Sequence, residues 1–145
     1  MASWVKDKLT ALLGAIEMPP LEVVGAGTLR CTNEISGWGD DSTADILLAR
    51  GKTKRVYDLH FSVVLEVGLG SSNSTPPKVL LRFLDVSNDT AGAPRALRVE
   101  FEGSGLNEGG KEAIKTALTP EGVASSLLSA VRGAVEETVS AFMKM

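Results

Sequence analysis

From Tyr57 to Val67 the chain alternates in type. Tyr57, Leu59, Phe61, Val63, Leu65 and Val67 are apolar, and Asp58, His60, Ser62 and Glu66 fall between them. Successive side chains on a strand point to opposite faces, so the pattern predicts a strand with one buried face. Six apolar side chains at ~1.5–3 kcal/mol each give roughly 9–18 kcal/mol of gross burial, before chain entropy is subtracted. A basic block, Arg50, Lys52, Lys54 and Arg55, precedes the strand and pivots on Gly51. Carried backward, the alternation puts Lys52, Lys54 and Val56 on the face opposite the core. A strand presenting two lysines and a valine to solvent is the predicted working surface.

The other segments sort by the same rules. Trp4, Val5, Leu9, Leu12, Leu13 and Ile16 recur at helical spacing behind Ser3, a predicted N-cap, and Pro19-Pro20 ends the helix. Residues 26–36 read as a strand, with Thr28, Arg30, Thr32 and Glu34 alternating against Leu29, Cys31, Asn33 and Ile35. Gly37 to Asp41 reads as a turn, and Ala44 to Ala49 as a short extended piece leading into the basic block. Residues 68–77, rich in Gly, Ser, Asn and Pro, form a hairpin loop. Residues 78–86 are apolar on both faces, which places that strand centrally or under cover on both sides. After a polar loop from Asn88 to Pro94, Leu97, Val99 and Phe101 alternate with Arg98, Glu100 and Glu102.

The C-terminal part is helical. Glu112 to Leu118 predicts a short helix, and Thr119-Pro120-Glu121 carries the residue types of a helix start. Val123, Leu127, Val131, Val135, Thr138 and Phe142 form an apolar stripe, widened by Ala124, Leu128 and Ala134. The order α-ββββ-α predicts an α+β fold, a four-stranded antiparallel meander with an N-terminal helix and a long C-terminal helix packed on it. No repeat or boundary divides residues 1–145, so one domain is expected.

Composition narrows the function. The chain has 43% hydrophobic and 23% charged residues and a net charge of −3, which suits a soluble globular domain. An acidic molecule with a local basic block fits an acidic protein partner better than nucleic acid. Stacking on nucleic acid would also want aromatics among the basics, and only Tyr57, on the core face, is near. No leader pattern or long apolar run is present, so a cytoplasmic protein away from membranes is expected. A single cysteine, Cys31, excludes an internal disulfide and predicts a packed thiol.

Candidate chemistry is sparse. The one histidine, His60, falls on the polar strand face, and one His with one distant Cys cannot readily build a zinc site. Gly105 to Lys111 has the GxxxxGK spacing of a phosphate loop, but Glu112 stands where Ser or Thr should hold magnesium. The carboxylate pairs Asp40-Asp41 and Glu136-Glu137 show no apolar enclosure that would raise a pKa. No catalytic residue, metal or cofactor is expected, and the basic block remains the feature with specific content. Its structural alternative is an edge strand guarded by charge.

The run Arg50-Gly-Lys-Thr-Lys-Arg-Val-Tyr-Asp-Leu-His-Phe-Ser-Val resembles the RKGK-plus-strand signature in the N-terminal domain of activators of the heat-shock protein 90 ATPase. Ser3-Trp4 followed by Asp7-Lys8-Leu9 is similar to that family's first helix, and Glu121-Gly122-Val123 with Leu127-Leu128 to the start of its last. The resemblance implies a curved, elongated sheet with helices at both ends. It also implies a monomeric, non-enzymatic co-chaperone of protein folding and the stress response. Such a protein docks on the chaperone's middle segment and modulates its ATPase. Arg50, Gly51, Lys52, Lys54 and Val56 would form the contact, with Asp41 and Asp45 as acidic contacts. The tetrapeptide aligns with Ala49-Arg50-Gly51-Lys52, so its first basic residue is alanine here, and Lys54 replaces an apolar residue. The family's Asn- and Trp-rich leading motif and second domain have no counterpart, so binding is expected to outlast stimulation. The alternative is a carrier of a small apolar ligand between sheet and helix.

Overall fold

A computed structural model describes residues 2–16, 21–38, 42–68, 77–88, 96–103 and 107–145. The elements run α1 (Ala2–Gly14), β1 (Leu21–Val23), β2 (Gly27–Ser36), β3 (Thr43–Ala49), β4 (Lys52–Gly68), β5 (Lys78–Ser87), β6 (Ala96–Glu102), α2 (Glu108–Ala117) and α3 (Ser125–Met143). The class is α+β, with one antiparallel sheet and helices at both ends of the chain. Six strands, not the four expected, lie among the described residues. The miscount has two sources, the short β1 and the Ala44–Ala49 piece, which is a full ladder partner of β4.

β4 organises the sheet. Its C-terminal half pairs with β2 on one edge, from Thr28↔Gly68 to Ser36↔Ser62. β3 occupies the same edge of the N-terminal half, from Thr43↔Asp58 to Ala49↔Lys52. β5 lines the opposite edge only from Asp58↔Ser87 to Glu66↔Lys78. The β3–β4 hairpin therefore projects past the end of β5 as a two-stranded arm.

The alternating apolar side chains of β4 all face the core. Leu59, Phe61, Val63, Leu65 and Val67 are buried, with Val79, Leu81, Phe83 and Val86 of β5 beside them. α1 contributes Val5, Leu9 and Leu13, and α3 adds Leu127, Leu128, Val131, Val135, Val139 and Phe142. Tyr57 meets Phe142 edge-on at 6.2 Å between ring centroids. β5 is central, between β4 and β6, as its doubly apolar sequence predicts. The opposite face buries Val64 and carries the ion pairs Arg30–Glu66, Lys78–Glu34 and Arg82–Glu100. Exposed pairs of this kind contribute only ~0–1 kcal/mol each.

The helix ends differ from expectation. α1 already includes Ser3, which is therefore not its N-cap, and the Pro19-Pro20 stop lies outside the described residues. α2 starts at Glu108, where the Asn107 side chain accepts a hydrogen bond from the Gly110 N–H at 2.7 Å. Within the phosphate-like run Asn107 is thus an ordinary helix cap, and Glu108 to Lys111 form the first turn of α2. Thr119-Pro120-Glu121 does not start α3, because Thr119 Oγ1 donates back to the Thr116 carbonyl. The 119–124 link folds against the end of α2, with Ala124 N–H donating to Ala117 O at 3.0 Å. Val123 consequently leaves the predicted stripe and is 69% exposed. No helix among the described residues is long and apolar enough to cross a membrane.

Candidate functional site

The arm is built by a two-residue turn. Ala49 pairs with Lys52, and the intervening Arg50 and Gly51 have φ of +53° and +76°. Positive φ at both central residues defines a type I′ turn, whose twist matches that of the flanking strands. Gly51 adopts this conformation freely, whereas an L residue such as Arg50 is strained by ~1–2 kcal/mol. Replacing Arg50 by Asn, the residue such turns favour, is expected to raise stability by about 0.5–1 kcal/mol in urea unfolding.

The register decides which side chains share a face. Lys54 lies opposite Leu47, and Val56 opposite Asp45. Lys52, Lys54 and Val56 therefore join Leu47 and Asp45 on the face turned away from the core. Lys52, Lys54, Leu47 and Asp45 are exposed and Val56 is half-buried. The structure thus brings together Arg50, Gly51, Lys52, Lys54, Val56 and Asp45, whereas Asp41 lies outside the described residues. Sequence reasoning missed Leu47. Ile46, Leu47 and Leu48 show no alternation, so no pairing register could be read from them.

The base of the arm has its own chemistry. Tyr57 N–H donates to Asn88 Oδ1 at 2.9 Å, and Asn88 Nδ2 donates to the Arg55 carbonyl at 3.0 Å. The amide side chain replaces the next β5 residue and terminates the ladder where the arm departs. Just inside it, β5 bulges: Leu84 and Asp85 together oppose His60, and Asp85 has φ of +54°. A cleft of about 420 Å³ lies here, lined by Lys54, Val56, Tyr57, Asp58, Asp85, Ser87 and Asn88.

His60 is half-buried between two carboxylates rather than free on the strand surface. Its Nε2 is 3.1 Å from Asp58 Oδ1 and 3.7 Å from Asp85 Oδ1. The Asp85 N–H donates to Nδ1 at 3.4 Å, which makes Nδ1 the acceptor and Nε2–H the donor to Asp58. The ligand-type atoms of Asp58, His60 and Asp85 lie within 4.8 Å of one another. A cation at Nε2 would require the other tautomer, setting two N–H groups against each other at Nδ1. The trio fits a hydrogen-bonded clasp across the bulge. Cys31 is half-buried, and burial pushes its thiol pKa up, as suits a packed rather than a reactive cysteine.

Fold and arm together define the class: an α+β domain with one antiparallel sheet, terminal helices and a projecting basic hairpin. The solved structures that share that fold include two of Aha1 proteins. The solution structure of the human Aha1 N-terminal domain matches with a TM-score of 0.53 at 18% identity, covering 97% of this chain and 90% of that one. The crystal structure of Aha-1 from Plasmodium falciparum matches with a TM-score of 0.55 at 13% identity, covering 98% and 84%. The resemblance read from the sequence therefore holds at the level of fold. No protein-family model matches the sequence, and no curated protein does.

Proposed function

We propose that this chain is a co-chaperone domain that binds the middle segment of heat-shock protein 90 and modulates its ATPase. The observation that carries the reading is the outward face of the arm. There an I′ hairpin holds Lys52, Lys54 and Val56, which belong to the run that resembles the family's signature, beside Leu47 of the paired strand. The shared fold supports the same reading. The hydrolytic chemistry would belong to the partner. This domain would act by binding one conformation of the chaperone better than another, and a coupling of about 1–3 kcal/mol corresponds to roughly 5–150-fold.

Lys52 is exposed, so Lys52→Glu should leave the fold intact while weakening binding by ~1–3 kcal/mol, roughly 5–150-fold in Kd. Calorimetry with purified chaperone, alongside a steady-state ATPase titration, tests both halves of the proposal. Saturable binding with altered turnover supports it. An unchanged Kd for Lys52→Glu removes the arm as the contact, and absence of binding leaves only a shared fold. The carrier alternative is not favoured, since Tyr57, Leu59 and Val63 belong with Val131, Val135 and Phe142 to one buried core, and Tyr57 meets Phe142 directly.

A further inference from the structure

The two long edges of the arm are treated differently. Beyond Asn88 no strand among the described residues pairs with that edge of β4, and this part of β4 carries Lys52, Lys54 and Arg55, the residue types that prevent strand addition. Among the described residues no strand pairs with the outer edge of β3, and that edge carries Ile46, Leu47 and Leu48. These side chains are 40%, 49% and 78% exposed. An apolar edge without lysine, arginine or proline is a template for another strand.

The chemistry of the edge specifies that strand. The I′ turn is closed by a hydrogen-bonded pair, so Ala49 and Leu47 turn their peptide groups toward β4. Ile46 and Leu48 then direct N–H and C=O outward. An incoming antiparallel strand must bond there, with apolar residues opposite Ile46, Leu47 and Leu48. Opposite residue 49, an alanine, an acid would come within reach of Lys52 in the next strand. The required order is acid, apolar, apolar, apolar. The segment Asp45-Ile46-Leu47-Leu48 has that order itself.

We infer that β3 pairs with β3 of a second copy of this chain, antiparallel and centred on Leu47. Leu47 then faces its equivalent, while Ile46 and Leu48 of one copy exchange backbone hydrogen bonds with Leu48 and Ile46 of the other. Asp45 of each copy meets Lys52 of its partner. The sheets fuse edge to edge, giving a dimer in place of the monomer expected from the sequence. The short contact makes it concentration-dependent. This does not depend on the co-chaperone reading.

Sedimentation velocity of the full chain alone, from low micromolar to near-millimolar, tests the inference. The wild type should shift from monomer to dimer, and Leu47→Lys should remain monomeric with an unchanged circular dichroism spectrum. Asp45→Lys and Lys52→Asp should each lose self-association, because each places like charges together twice. Mixed in equal amounts, these two variants should form a heterodimer, since both cross-pairs become attractive. A monomer at every concentration overturns the inference and leaves the edge to a strand of a different protein. A dimer that survives Leu47→Lys, or a mixture that fails to associate, also overturns it.

Discussion

Phe83→Ala is expected to lower the unfolding free energy by about 3–5 kcal/mol, read as a fall in the urea midpoint at unchanged slope. Phe83 sits in β5, is fully buried, and stacks on Phe61 with centroids 5.1 Å apart and ring planes 7° apart. Phe61 in turn meets Trp38 at 5.5 Å. Truncation removes the middle of the β4–β5 interface and leaves a cavity that flanking strands cannot close, because their register is fixed on both sides. The pair Phe61↔Phe83 is also the last before the Asp85 bulge. The near-ultraviolet signal of Trp38 should therefore change even in conditions where the variant remains folded. Val123→Ala is the matched control: an exposed side chain whose loss should stay within about 0.5 kcal/mol of wild type.

Gly122→Ala should be nearly as damaging, at about 2–4 kcal/mol, although it adds only one methyl group. A Cβ there would lie 2.2 Å from Ala117 O and 2.3 Å from Thr116 O. Both obstacles are backbone, so neither can swing aside. Ala117 O also accepts the Ala124 N–H that ties the link to α2. Relief of the clash breaks that bond and shifts the start of α3, which carries Leu127, Leu128 and Val131 into the core. Thermal unfolding by circular dichroism measures the loss. A midpoint equal to wild type would show that the 119–124 link does not hold α3 in place.

Local patterns were sufficient where one rule governed the segment. The alternation of Tyr57 to Val67, the doubly apolar β5 and the stripe from Leu127 to Phe142 each have one solution, since burying an apolar face is the dominant favourable term. The site was legible to the same extent. Lys52, Lys54 and Val56 share a face through the two-residue period alone, and Gly51 marks the turn. The helix start at Thr119-Pro120-Glu121 failed despite correct residue types. Capping offers only about 1 kcal/mol there, and the packing of Gly122 against α2 outweighs it.

By itself, then, the chain determined its buried faces, its basic strand and its α+β class, because those follow from the spacing of side chains along one segment. Tertiary structure alone decided what depends on pairing between distant segments. Asp85 reaches His60 only across a bulge, Asn88 ends the ladder only because β5 stops there, and Leu47 joins the lysines only through the β3–β4 register. The exposed edge of β3 belongs to the same group. Its apolar residues look like core in one dimension, and only the pairing that puts β3 at the edge of the described sheet leaves them in water.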